Sequence, residues 1–406
     1  MSRICFLFLV SGLFFIHTKA QVKVPDRSYL YEVTDSVVIN GAEACEAYFP
    51  LLKNKRIGLV VNHTSMINDI HLVDSLHNAG FNIVKIFAPE HGFRGNQSDG
   101  AHISDSKDNI TGATIVSLFG SKFKPTAQDL ADIDIVLFDI QDVGVRFYTF
   151  ISTMHYVMEA CAENNKPFVV LDRPNPNGHY IDGPMLDLRF KSFIGMDPIP
   201  LVHGLTVGEL ATMINGEGWL GDDLKCDLTV IQCKNYNHSC LYQLPIMPSP
   251  NLVSMDAVYL YPSLGLLEGT VVSVGRGTYQ AFEIFGHPLL KNTDIEFTPE
   301  SIKGMSENPK FLGQKCYGFN VKSFATEYIR YNSSIYLYWL LELYAELSPQ
   351  TEFWRDGVFD KLAGSDKLRT QIEEGLNTDE ITSSWLFDLQ QYKHLRKKYL
   401  LYPDFE

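Results

Sequence analysis

"IDIVLFDIQDVGVRFYTFISTMHYVMEACAENNKPFVVLD", residues 133–172, reads as strand, loop, helix and strand in succession. Its first run, Ile133 to Ile140, is almost continuously apolar instead of alternating. Such a strand is buried on both faces, as in a parallel sheet covered by helices. The segment 149–165 then reads as a helix, and 167–172 returns to an apolar strand. Parallel strands joined through helices are the unit of an α/β fold.

The same alternation extends in both directions. Strand-like runs occur at 56–62, 82–88, 114–120, 227–232 and 270–275, and helix-like stretches at 68–80, 126–133 and 206–218. Gly80 supplies a left-handed helix stop, and Thr206 with Glu209 forms a capping box. From about Gly286 the chain turns aromatic-rich and helical, as in "SSIYLYWLLELYAEL" (333–347) and "SSWLFDLQQYKHLRKKYLLY" (383–402). The expectation is a mostly parallel sheet domain over 21–285 followed by a smaller α+β domain over 286–406.

With 406 residues, 45% hydrophobic and 20% charged, the composition is that of a globular chain. A net charge of −14 argues against nucleic acid and anionic membrane as partners, since both demand a basic surface. Residues 1–20, "MSRICFLFLVSGLFFIHTKA", read as a signal peptide, with Arg3 before an apolar stretch and a small-x-small cleavage site before Gln21. No other stretch is apolar for long enough to span a bilayer. An exported, soluble protein without stable membrane insertion is expected, periplasmic or secreted. Beyond Cys5, the cysteines 45, 161, 226, 233, 240 and 316 are too sparse for a disulfide scaffold. Zinc at Cys226, Cys233, Cys240 and His238 is disfavoured by the wide ligand gaps, so these read as buried thiols. Five N-x-S/T triplets, at Asn62, Asn96, Asn109, Asn237 and Asn332, matter only in a glycosylating host.

Ligands of open parallel sheets bind at the carboxyl ends of the strands. Here those ends gather polar residues: Asn62, His63 and Thr64; Glu90, His91 and Arg94; Asp139, Gln141, Asp142 and Arg146; Asp172, Arg173 and Asn175; and Arg276. Pro89 and Gly92 flank Glu90 as for a fixed turn. Each residue also has a bland reading. Asp139 can cap backbone N–H groups, Asp172 can hold the "DRPNPNG" turn, His91 can serve a structural hydrogen bond, and Arg146, Arg173 and Arg276 can pair with acids. Dinucleotide and nucleotide phosphate cradles are missing, as are the H-E-x-x-H and G-x-S-x-G motifs, so no cofactor is expected. What remains is carboxylates, arginines, amides and aromatics, the residue types that glycosidic bond cleavage uses.

The motifs "APEHGFRG" (88–95), "LFDIQDVGVRFYTF" (137–150), "LDRPNPNG" (171–178), "IPLVHGLTVGELA" (199–211), "MPSPN" (247–251) and "GRGT" (275–278), in this order, resemble the NamZ family of exo-β-N-acetylmuramidases. That family was once catalogued only as a domain of unknown function. The likeness runs from about residue 40 to the closing "YLLYPDF" (399–405). It implies a Rossmann-like domain with a smaller C-terminal domain, an active site in the cleft between them, and release of N-acetylmuramic acid from the non-reducing end of peptidoglycan fragments. On that resemblance Glu90 is the catalytic glutamate, assigned here as general acid. Asp142 either activates water, or orients a substrate whose own 2-acetamido oxygen attacks, a role open to Asp172 as well. The expected substrate-binding set is Asn62, His91, Arg94, Asp139, Gln141, Arg146, Tyr148, Asp172, Arg173, Asn175, His203 and Arg276. One of Arg146, Arg173 or Arg276 is expected to read the lactyl carboxylate of the muramic acid. Gln280-Ala281 departs from the family's small-residue and proline run, which bears on substrate preference. Two rival readings are a metal-dependent hydrolase built on Glu90, His91, Asp139, Asp142 and His203, and a non-catalytic saccharide-binding protein.

Overall fold

The computed structural model describes residues 31–33, 38–90, 92–94, 106–221 and 223–406. The leader-like segment, Asn96 and His91 lie outside the described residues. Seven strands form the principal sheet: β1 (Arg56–Val61), β2 (Asn82–Ala88), β3 (Ser106–Lys107), β4 (Thr114–Ser117), β5 (Ile135–Asp139), β6 (Phe168–Leu171) and β7 (Leu228–Ile231). Their order is β7-β6-β5-β1-β2-β4-β3, all parallel except β3, which runs antiparallel to β4.

Side-chain alternation explains why the central strands β1, β5 and β6 are nearly continuous apolar runs. Ile57, Leu59, Val61, Leu137, Val169 and Leu171 pack on one face, against helices Cys45–Leu52 (α1) and Leu72–Asn78 (α2). Val60, Val136, Phe138, Phe168 and Val170 pack on the other. There they meet helices Phe150–Glu163 (α3) and Val207–Gly216 (α4). Both faces are dry, so neither register of the period-two pattern can be polar. Thr206 caps α4 through the expected box with Glu209, and Gly80 (φ 82°) follows α2 in the left-handed region.

The chain runs outward from β1 through β2 to β4, then returns to β5 on the other side of β1. The topological switch point therefore falls between β1 and β5, whose following loops are tied to each other by Gln141 N donating to Thr64 Oγ1 at 3.0 Å. After helix Met255–Leu264 (α5), an antiparallel sheet of Ile284–His287 (β8), Ile295–Phe297 (β9) and Cys316–Asn320 (β10) forms in the order β8-β10-β9. Helix Tyr338–Leu347 (α6) packs beside it through Trp339 on Phe285, helix Leu386–Arg396 (α7) packs on the strand Asp182–Met185, and one hydrophobic core runs from the principal sheet into this region. No described helix is long and apolar enough to cross a membrane. No disulfide joins the described cysteines.

One expected strand is absent. Residues 270–275 join no sheet and make only isolated bridges, Thr270 with Trp354 and Ser273 with Gly286. The carbonyls of Thr270 and Val272 instead accept from Lys310 Nζ, at 2.7 and 2.8 Å. A distant ammonium takes the place of a strand ladder, so Arg276 is not delivered from the edge of the parallel sheet.

Candidate active site

A cleft of about 270 Å³ opens beyond the end of β2, lined by Glu90, Tyr148, Thr149, Ser249, Tyr261, Glu268 and Arg276 among others. Glu90 stands in the expected fixed turn. Gly92 adopts φ 75°, and its N–H donates to the Pro89 carbonyl at 3.0 Å. The half-buried Glu90 carboxylate accepts from the Thr149 hydroxyl at 2.9 Å, which ties the end of β2 to the start of α3. Phe147, Tyr148 and Tyr261 form an aromatic wall, with Tyr148 and Tyr261 edge-on at 6.0 Å and Phe147 and Tyr261 at 5.1 Å. The Tyr148 hydroxyl donates to the Pro248 carbonyl at 2.7 Å, which brings the "MPSPN" segment and Ser249 to the cleft.

Arg276 stands between Gly275 (φ 78°) and Gly277 (φ 82°), two left-handed positions that bend the backbone around it. Its Nε and Nη2 donate to the two Glu268 carboxylate oxygens at 2.5 and 3.1 Å. Burial opposes the charge on Glu268, but Arg276, helped by Lys310 and Arg355, outweighs it and holds the carboxyl below its ordinary range.

Of the expected site residues, Glu90, Tyr148 and Arg276 line the cleft. Most of the others are committed to the protein interior, and their strand-end positions serve the framework. Arg146 is fully buried and spends its guanidinium on the carbonyls of Pro184, Ile199, Leu362 and Ala363, at 2.7 to 3.2 Å. It cross-links the first domain to the C-terminal region and is withdrawn as a reader of substrate carboxylate. Arg173 is withdrawn on the same ground, because it pairs with Asp139 through Nε (2.5 Å) and Nη2 (2.9 Å) and both are buried. Asp139 is thereby removed from the metal-ligand set.

Arg94 reaches Asp74 and Asp108 instead of the cleft. Asp172 accepts from Thr206 Oγ1, Gly208 N and the Tyr402 hydroxyl at 2.8, 2.8 and 2.5 Å, so it anchors the chain's end and orients no substrate. Asn62 turns its own loop by accepting from Thr64 N and Oγ1. Gln141 donates to the Asp142 and Pro174 carbonyls, and Asn175 to that of Leu205.

Asp142 is 2% exposed and lies outside the cleft lining, so it has no place to activate water there. It accepts from Gly144 N at 2.7 Å, and His203 Nε2 stands 3.4 Å from the same oxygen. His203 Nδ1 accepts from Leu205 N at 3.2 Å, which puts the ring proton on Nε2, facing Asp142. Gly144 (φ 78°) is obligatory in this loop, because a Cβ would come within 2.4 Å of Asn175 Oδ1. Among the described residues, no group of three or more His, Cys, Asp or Glu could hold a metal ion.

The residues missed from sequence are Thr149, Ser249, Tyr261 and Glu268. Ser249 sits inside a quoted motif. Glu268 carries its own signal, a lone acid in the otherwise apolar "YPSLGLLEGTVVSVG" (261–275).

A doubly wound α/β sheet with a carboxylic acid, an ion-paired second carboxylate and aromatic rings around a small cleft defines the class, a glycoside hydrolase. The comparisons give the family. The sequence profile of the exo-β-N-acetylmuramidase NamZ N-terminal domain matches residues 57–256, and that of the C-terminal domain matches 259–402. The chain belongs to the NamZ family of exo-β-N-acetylmuramidases. It is 37% identical to the peptidoglycan β-N-acetylmuramidase NamZ of Bacillus subtilis (strain 168), over 99% of this chain and all of that protein. Two crystal structures of DUF1343 family proteins from Bacteroides fragilis share the fold. One has a TM-score of 0.84 at 49% identity and the other 0.76 at 30%, each covering 90% of this chain and 99% of the solved one. The two profiles change over between residues 256 and 259, so Glu90 and Thr149 fall in the N-terminal match and Glu268 and Arg276 in the C-terminal one.

Proposed function

We propose that this protein releases N-acetylmuramic acid from the non-reducing end of β-1,4-linked peptidoglycan fragments, with Glu90 as general acid. The observation that carries the reading is Glu90 itself, a carboxyl fixed by Pro89, Gly92 and Thr149 at the mouth of an aromatic-walled cleft. Glu90 gives its proton to the glycosidic oxygen, which leaves with the electron pair of the C1–oxygen bond. Water supplies the hydroxyl to C1 and the proton that restores the acid. A positioned acid of this kind contributes roughly 10²–10⁴-fold.

The small cleft volume, about 270 Å³, supports removal of one terminal unit at a time. Arg276 supports selection of the muramic ring, because it is the one candidate arginine whose side chain lines the cleft. The lactyl carboxylate is proposed to be a further acceptor on this planar guanidinium, whose Nε and Nη2 hold Glu268. The leader-like residues 1–20 support action outside the cytoplasm, where peptidoglycan fragments arise.

The test is digestion of a defined peptidoglycan tetrasaccharide with N-acetylmuramic acid at its non-reducing end, followed by mass spectrometry over time. Free N-acetylmuramic acid and a trisaccharide are expected as the first products. Disaccharide as the first product, or no product while the fragment stays bound, would show an endo-acting enzyme or a saccharide-binding protein instead.

A further inference from the structure

Glu268 shares the cleft with Glu90, and the reaction as described leaves it without a role. It reaches the cleft from a single 3-10 turn, Gly265–Gly269, that continues α5. The backbone of this turn is pinned from several sides. Lys310 Nζ donates to the carbonyls of Leu267, Glu268, Thr270 and Val272 at 3.4, 3.2, 2.7 and 2.8 Å. Arg355 Nη1 donates to the Glu268 carbonyl at 3.0 Å, and a Cβ on Gly269 would come within 2.5 Å of Phe359 Cα. Arg276 then fixes the carboxylate itself at two points. Turn closure alone calls for none of these cations, whereas a carboxylate that must keep one orientation calls for all of them.

We propose that Glu268 is the second catalytic carboxylate of this enzyme, a fixed anion facing the positive charge that develops on the muramic ring as the C1–oxygen bond breaks. The proposal rests on the glycosidase reading. Glu268 forms no bond and takes no proton, so the electron and proton balance stays as written for Glu90. Arg276, with Arg355 and Lys310 beside it, holds the Glu268 carboxyl below the ordinary range, which makes it a poor proton acceptor and a source of negative potential, although burial brings Lys310 itself down to about 7. Of the two acids, Glu90 is the proposed proton donor and Glu268 is the one that neighbouring cations hold ionised. Lys310 is a positioning residue that acts through the turn.

The experiment compares wild type, Glu90→Gln, Glu268→Gln and Glu268→Asp on aryl β-N-acetylmuraminides whose leaving phenols are graded in acidity. The Glu90→Gln deficit is expected to shrink as the phenol becomes more acidic, since such a phenol departs without a proton. The Glu268→Gln deficit, about 10²–10³-fold and mainly in kcat, is expected to stay constant across the series. Glu268→Asp keeps the charge but withdraws it by one methylene, and is expected to lie between the two; it decides the matter if the Gln variant does not fold. Turnover of a folded Glu268 variant within about three-fold of wild type, or a loss confined to KM, overturns the proposal and leaves the glycosidase reading standing. A wild-type enzyme inert towards every muraminide overturns both.

Discussion

Arg146→Met separates a structural guanidinium from a substrate-reading one. Methionine keeps the apolar stem and removes every donor. Of the four carbonyls that Arg146 serves, Ile199 O retains the Leu186 N–H at 3.1 Å, while Pro184 O, Leu362 O and Ala363 O lose the arginine that serves them. A buried polar group stripped of its partner costs about 1–3 kcal/mol, so three give a gross loss of several kcal/mol. Against this, the variant no longer buries a cation that lacks a carboxylate partner, a burial that pushes the Arg146 pKa down to about 9. The net expectation is a loss of about 2–5 kcal/mol. Urea denaturation followed by tryptophan fluorescence measures it, and the affected interface joins the first domain to residues 362–363. Arg146→Lys, which keeps the charge and three donors, is expected to fall between. A variant as stable as wild type that no longer distinguishes muramic from glucosamine glycosides would refute the reasoning and return Arg146 to the substrate.

Arg276→Ala is expected to slow both glycosides, because Arg276 also fixes Glu268, and to cost the muramic one a further roughly 10-fold or more in kcat/KM; identical losses on both would remove Arg276 as the lactyl reader. Tyr402→Phe deletes the hydroxyl that donates to Asp172 and accepts from Cys233 N at 2.8 Å, and should cost about 1–3 kcal/mol of stability with kcat unchanged, as denaturation and kinetics on one preparation will show. Because the folded-state pKa of Glu268 is depressed, its ion pair contributes stability that is fully present above the unfolded carboxyl's 4.5 and is lost as pH falls through the lower folded value. The stability gap between wild type and Glu268→Gln should therefore narrow as pH falls below about 5, and a gap that widens on acidification through that range has the wrong sign.

The fold was legible wherever burial acts on consecutive residues. Strand β2 spans the whole of "NIVKIFA" because both of its faces are covered, with only Asn82 at its exposed start and Lys85, whose ammonium reaches Asp132, breaking the apolar run. The run 270–275 has similar local character but not the partners of a strand. What holds it is Lys310, about 40 residues further on, which no local pattern reveals. The same physics limited the reading of the site. Strand ends do collect charged residues, but local sequence cannot tell which of those charges are consumed inside. Arg173 meets Asp139 from 34 residues away and Arg146 meets Ala363 from 217, distances over which sequence carries no pairing signal. Glu90 was legible because its turn residues, Pro89 and Gly92, are its immediate neighbours. Glu268 was not, since its partner Arg276 completes the site through two left-handed glycines and a lysine from elsewhere in the chain.

The decisive measurement is the initial rate of aryl release from a β-N-acetylmuraminide whose leaving phenol is only weakly acidic and so needs a proton, and from its N-acetylglucosaminide counterpart, with chelator present, for wild type and Glu90→Gln. Release specific to the muraminide, unaffected by chelator and reduced about 10²–10⁴-fold in a Glu90→Gln variant that unfolds at the wild-type temperature, is the expected result. Equal rates for the two enzymes would remove Glu90 from the chemistry, and rates abolished by chelator would restore the metal-dependent reading.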